Sequence, residues 1–559
     1  MMSERNAFRY ITQYPARGLV YDRNGKLLVY NEAVYDLMVI PRQVKAMDTM
    51  AFCELVGITR DEFIQKMKKA RAYSPYVPSA FSKQISKEEY GSIQENLYKF
   101  EGFYVQSRTL RKYEQPVAAH VLGYIGEVNQ KEIDNNPYYK QGDYIGKSGL
   151  EKSYEEILRG QKGKKIVLVD VHNREKGSFQ NGMYDTAAVA GYNLYSTLDT
   201  ELQEYAEKLM ANKRGGIVAI EPATGEVLAL VSAPSYDPNL LVGRIRGTNY
   251  DILSKDMSKP LFNRALMATY PPGSIFKVAQ SLIALDLGVI HPNTGFVCDR
   301  IVGCHGHPFR SNPYFYYTYK RIIQQGKYSN IYKDSQYGLS LWRNYMLRFG
   351  FGQQLGIDLA NEKKGFIPDT SFYNKWYGRE HWAFSTIYSN SIGQGEVLIT
   401  PLQMANFAAI IANRGYYYIP HLVRYYGDDS VRNEKYYTKH ETNIPREYFD
   451  IAVKGMYGVV HEDGGTARRA RIDDIAICGK TGTSQNIGHD HSVFICFAPR
   501  ENPTIAVAVY VENAKGGGGT WAAPIASLVV EKYVRGHVER EDVEKYYMET
   551  NPCQQLPIR

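Results

Sequence analysis

Apolar runs in the second half of the chain limit the folds open to it. Gly216-Ile217-Val218-Ala219-Ile220 and Glu226-Val227-Leu228-Ala229-Leu230-Val231 flank the turn Pro222-Ala223-Thr224-Gly225 and read as a hairpin. Three more strand-like runs follow only far downstream, at Ile475–Cys478, Ser492–Phe497 and Thr504–Val511, before an apolar-faced helix from about Trp521 to Val534. A long, mostly helical stretch separates the two groups. Strands split in this way pair as an antiparallel sheet with helices packed on it, an α+β architecture.

The first half has a different texture. Strands at Gly18–Tyr21 and Lys26–Tyr30 flank the turn Arg23-Asn24-Gly25, and helices are predicted at 61–71, 87–99 and 149–158. A strand follows at Lys164–Val171, residues 172–190 read as an exposed connection, and Asp199 or Thr200 caps a helix running to Met210. With 44% apolar and 23% charged residues the composition is that of a globular chain and excludes extensive disorder. The net charge of +8 is scattered, which argues against a nucleic-acid partner and suits an anionic envelope or membrane surface. No apolar run is long enough to span a bilayer, and the start of the chain has no signal-peptide pattern. Six cysteines exclude a disulfide-built scaffold.

The sharpest chemical signal is Pro271-Pro272-Gly273-Ser274-Ile275-Phe276-Lys277. A helix is predicted from Ser274 to Leu287, stopped by Gly288, and it is apolar nearly all round apart from Lys277. Ser274 and Lys277 are one turn apart and share a face. Desolvation lowers a lysine's pKa, so its amine can take the proton of a neighbouring hydroxyl, and N–H groups of the first turn can stabilise an oxyanion. The bland alternative is a capping serine and a snorkelling lysine.

A second signal, Cys478-Gly479-Lys480-Thr481-Gly482-Thr483-Ser484, closes a predicted strand and combines a lysine, hydroxyls and accessible N–H groups that suit a carboxylate. Gly146-Lys147-Ser148-Gly149 imitates it and also hints at a phosphate-binding loop. That loop needs glycine at position 141, which is Gln141, so a nucleotide-binding function is set aside. Cys478 and Cys496 read as small core residues, and His489 and His491 as surface or rim positions.

Ser-x-x-Lys followed by a strand-borne Lys-Thr-Gly resembles the set of the penicillin-binding proteins and serine β-lactamases. Along nearly the whole length the chain resembles a class B penicillin-binding protein of the penicillin-binding protein 2 type. Arg17–Gly25, Arg111–Tyr124 and Gly146-Lys147-Ser148-Gly149-Leu150-Glu151 are similar to that family's N-terminal boxes, and Ser391-Ile392-Gly393-Gln394-Gly395-Glu396 with Thr400-Pro401-Leu402-Gln403 to a later one. The resemblance implies a non-catalytic, mostly β pedestal over 1–190, a transpeptidase domain over 191–545 and a tail over 546–559. The latter domain is expected to hold a five-stranded antiparallel sheet flanked by helices, with an all-helical insert.

The implied activity is cross-linking of peptidoglycan stem peptides during wall elongation, with acylation by β-lactams. Ser274 is the implied nucleophile, Lys277 the base, Ser274 and Thr483 the oxyanion donors, and Lys480, Thr481, Gly482 and Thr483 the carboxylate site. No cofactor is implied. Partners would be stem peptides, β-lactams, a membrane glycosyltransferase of the shape and division family and an elongation scaffold protein. The implied location is the periplasmic side of the cytoplasmic membrane, held by an N-terminal helix preceding this chain. A division-type transpeptidase and a catalytically impaired structural adaptor are the rival readings; β-lactamases and carboxypeptidases do not account for the N-terminal boxes.

The family's Ser-x-Asn motif has no clean counterpart. Asn312 in Arg310-Ser311-Asn312-Pro313 matches its asparagine, with Arg310 where serine is expected. The short gap from Ser274 implies that about a dozen residues are missing just before Ser311. Nearby, Cys298, Cys304, His305 and His307 offer a zinc-type donor set whose spacing fits no standard finger; a Cys298–Cys304 disulfide or free thiols are the bland readings, and the spacing favours them.

Overall fold

A computed structural model describes residues 8–85, 87–169, 175–295, 302–304, 307–309, 313–326, 328, 330–486 and 488–552. In the second half the hairpin forms as β1 (Gly215–Ile220) and β2 (Val227–Ala233). The distant runs join it as β3 (Cys478–Ser484), β4 (His491–Ala498) and β5 (Ile505–Val511), in the antiparallel order β2-β1-β5-β4-β3. Both strands of the hairpin and all of β5 are buried at every position. Such strands need helices on both faces.

Helices α1 (Thr200–Leu209) and α5 (Ala522–Arg535) cover one face, sharing a core with Ile217, Leu228 and Val507. On the other lie α2 (Phe276–Asp286) and α3 (Pro401–Ala412), packed with Val218, Leu230 and Ala508. Asp199 caps α1 by accepting from Leu202 N. Helix α3 is buried all round and opens on a capping box between Thr400 and Gln403. Helix α4 (Arg446–His461) leads into the loop before β3.

The N-terminal part is built on a thirteen-residue strand, Leu27–Val39, much longer than the sequence pattern suggests. It pairs with Phe103–Tyr113 along its length and also with Ser79–Ile85. The sheet continues through Val20–Tyr21 and Leu194–Ser196 to Val423–Tyr426, a strand from the second half. The predicted helix 149–158 breaks at Tyr154 into Gly149–Ser153 and Glu155–Leu158. Within the expected connection 172–190, Glu175–Ser178 pairs with Gly163–Val169 as a strand. The helix Glu541–Glu549 runs across the expected boundary at 545/546, and Tyr547 within it is buried.

The three N-terminal boxes converge on one buried charge cluster. Arg17 donates to Glu151 at 2.5 Å and to Glu155 at 2.6 Å, while Arg111 donates to Glu151 at 2.6 Å. Glu155 also accepts from Tyr139 Oη and the Gly146 N–H. Gly146-Lys147-Ser148-Gly149 therefore leads into the helix that delivers Glu151, which is why it imitates a substrate motif without being one.

Candidate active site

Ser274 lies in a 3₁₀ turn, Gly273–Ile275, that runs directly into α2, and so just before the helix that the sequence predicts to begin with it. From Pro272 to Gln280 only Ser274 and Lys277 reach solvent; every other position is buried. An apolar helix is thus open to solvent at the two residues of the Ser-x-x-Lys pair. Burial holds the Lys277 ammonium below the usual lysine range.

Lys480, Thr481, Gly482 and Thr483 lie within β3 rather than past its end, because pairing with β4 extends from Cys478 to Ser484. This is an edge strand, and its free side meets the Ser274 turn backbone to backbone. Gly273 has a φ of 60°, and a Cβ there would stand 2.6 Å from Thr483 O. A Cβ on Gly482 would stand 2.9 Å from Pro272 O. Lys480 Nζ donates to Thr481 O at 2.8 Å. Burial, and then the neighbouring charge of Lys277, push Lys480 down to about 8.

The box at Ser391–Glu396 locks the turn against the strand. Gly393 O accepts from Gly273 N at 2.8 Å, and Gln394 Nε2 donates to Thr483 O at 3.1 Å. Tyr373 buttresses the box, donating to Glu396 at 2.6 Å and accepting from Asn390 Nδ2 at 2.9 Å. On the far side, Tyr270 stacks on Tyr510 of β5 and donates to Glu512 at 2.6 Å.

An open cleft of about 520 Å³ runs alongside β3, lined by Thr466, Arg468, Arg469, Thr481, Thr483 and the Gly517–Gly519 loop. Thr466 and Thr481 hydroxyls are hydrogen-bonded at 2.8 Å. This wall lies outside the motifs that the sequence singles out. Its signals were the four consecutive glycines 516–519 between a strand and a helix, and Gly464-Gly465-Thr466 after α4.

Asn312 lies outside the described residues, as do Arg310, Ser311, Cys298 and His305. Cys304 and His307 occupy opposed backbone positions in the hairpin Val302–Cys304/His307–Phe309. Among the described residues no group of three or more histidines, cysteines and acidic residues is placed to hold a metal. Cys478 and Cys496 are buried free thiols. His491 begins β4 and packs on Tyr270 and Tyr510, accepting from Asn513 N at 2.9 Å.

A hydroxyl and a depressed lysine on one helix turn, set against an edge strand bearing Lys-Thr-Gly-Thr, define a serine acyltransferase. The comparisons agree. The penicillin-binding protein transpeptidase domain matches residues 215–531 and the penicillin-binding protein dimerisation domain residues 12–196, so the chain belongs to the penicillin-binding protein transpeptidase family. It is 32% identical to the peptidoglycan D,D-transpeptidase MrdA of Escherichia coli K12, over 96% of this chain and 89% of that protein. It is 31% identical to the protein of the same name from Haemophilus influenzae, over 97% of this chain and 88% of that one. Among solved structures, penicillin-binding protein 2 of Helicobacter pylori in complex with MreC superposes with a TM-score of 0.76 at 26% identity, covering 95% of this chain and all of that one.

Proposed function

We propose that this protein is the elongation-type D,D-transpeptidase of the peptidoglycan layer, with Ser274 as its nucleophile. Lys277 takes the Ser274 proton as Oγ attacks the carbonyl of the penultimate D-Ala. The N–H groups of Ser274 and Thr483 receive the oxyanion. The peptide C–N bond breaks, the terminal D-Ala leaves carrying the proton, and an ester to Ser274 remains. An amine of a neighbouring stem peptide then attacks that ester, forming the new amide and returning the proton to Ser274. Lys480 and Thr481 hold the substrate's terminal carboxylate, Gly482 keeps the strand close to the turn, and Asn312 takes the part of the middle motif's asparagine. A β-lactam enters by the same attack and stays as the acyl ester.

The observation that carries this reading is the backbone contact between the Ser274 turn and the Lys480–Thr483 strand, with Lys277 opening beside it. A fluorescent penicillin tests it. Stable labelling of the wild type that is lost in Ser274→Ala is expected; an unlabelled wild type would leave only the adaptor reading. The reaction belongs on the outer face of the cytoplasmic membrane, with the protein anchored there by a membrane helix. A glycosyltransferase of the shape and division family and an MreC-like scaffold are its partners, the latter supported by the Helicobacter pylori complex. Among the described residues no helix is long and apolar enough to cross a membrane.

A further inference from the structure

The cleft beside β3 is lined by more cationic and donor groups than one lysine site accounts for. Its lining residues are threonines, glycines and the two arginines Arg468 and Arg469, with no carboxylate among them. The glycine wall presses close to the hydroxyls, since a Cβ on Gly517 would stand 2.7 Å from Thr483 Oγ1. Lys480 is committed to the Thr481 carbonyl and lies near the like charge of Lys277. The two arginines differ. Arg469 lies beside Tyr547, which is itself buried and donates to Thr520 O. Arg468 is half exposed and, among the described residues, its ion pair is with Asp463 at 3.0 Å, an acid that is almost wholly solvated. Such pairs contribute little, so Arg468 can leave Asp463 for a better anion at small cost.

We propose that Arg468 is a specificity-determining residue, its guanidinium joining Lys480 and the Thr481 and Thr483 hydroxyls in receiving the terminal carboxylate of the donor peptide. The inference rests on the acyl-transfer reading of this site. A planar guanidinium matches a carboxylate in bidentate fashion and keeps its charge at every working pH, which a lysine beside another lysine does not. Asp463 pairs with the arginine and so competes with the substrate for it.

A pair of small D-alanyl thioesters, one with a free terminal carboxylate and its carboxamide twin, tests this on the full chain by thiol release. Arg468→Gln is expected to lower kcat/KM for the carboxylate about ten- to a hundredfold and to leave the carboxamide within about twofold. Arg468→Lys should recover part of the loss. Asp463→Asn should raise kcat/KM for the carboxylate about two- to threefold, and the gain should shrink in high salt. The assignment is overturned if Arg468→Gln slows both thioesters equally or neither, or if Asp463→Asn slows the carboxylate. A wild type that releases no thiol and takes no penicillin label would instead bring down the acyl-transfer reading itself.

Discussion

At the scale of the residue, the site turns on two lysines whose charges oppose each other. Burial lowers both; for Lys480 the Lys277 charge adds to it and brings the value to about 8. In the proposed reaction one must be neutral to accept a proton and the other charged to hold an anion, and their repulsion favours that division. Lys277→Met removes the neighbouring cation and is expected to raise the Lys480 value, read by the titration of its ε-methylene signal in NMR. It should also slow penicillin acylation by about 10²–10⁴-fold, the range for loss of a general base. An unmoved Lys480 would mean that burial alone sets its pKa. The linkage has a definite sign. Below pH 8 the folded and unfolded chains both hold the Lys480 proton, and the cost of burying the charge is present in full. Between about 8 and the unfolded lysine value of about 10.4 the unfolded chain binds more protons, so this group's contribution to stability rises with pH.

At the scale of the element, the candidate site is assembled from three segments distant in sequence: the Ser274 turn, the Gly393 box and β3. Gly393 has a φ of 71°, and a Cβ there would overlap the Gly273 backbone. Gly393→Ala should therefore displace the nucleophile turn and cut the acylation rate more than tenfold, with a melting temperature only a few degrees lower. Normal acylation in that variant would show that the turn does not depend on this contact. The same elements show what a single sequence can disclose. The hairpin, the distant strands and α5 were legible because buried strands and a packed helix impose dense apolar periods. Ser274 and Lys277 were legible because a lysine inside an apolar helix is costly unless used. The start of α2 was misplaced because Ser274 adopts a 3₁₀ turn held by Gly393, a contact between residues far apart in the chain. Likewise β3 reads as ending at Cys478, since Lys-Thr-Gly-Thr has no alternation and becomes a strand only by pairing with β4. Arg468 carried no local signal at all; it reaches the cleft through the path of the chain after α4.

At the scale of the whole molecule, the parts matching the dimerisation and transpeptidase domains share structure rather than merely touching. Val20, Leu28, Leu150 and Leu158 belong to the same hydrophobic core as Val218, Leu266 and Phe276. One sheet carries strands from both parts, and Tyr154 donates to Asp358 at 2.8 Å across the junction. The buried cluster of Arg17, Arg111, Glu151 and Glu155 holds the segments that feed this junction. Burial works to raise the Glu151 pKa, but the adjoining Arg111 and Arg17 outweigh it and hold the carboxyl below its usual range. A depressed carboxylate contributes stability that is present above its unfolded value of about 4.3 and is lost as pH falls through the folded value. Glu151→Gln leaves two guanidiniums buried with too little counter-charge, an arrangement that costs about 3–5 kcal/mol. The variant is expected to melt well below the wild type at pH 7 and to lose less of its remaining stability on acidification. Ser274 in the protein that stays folded should still take penicillin at the normal rate, because no member of the cluster lines the cleft. An acylation rate that fell along with stability would instead show that the pedestal tunes the active site through the shared core.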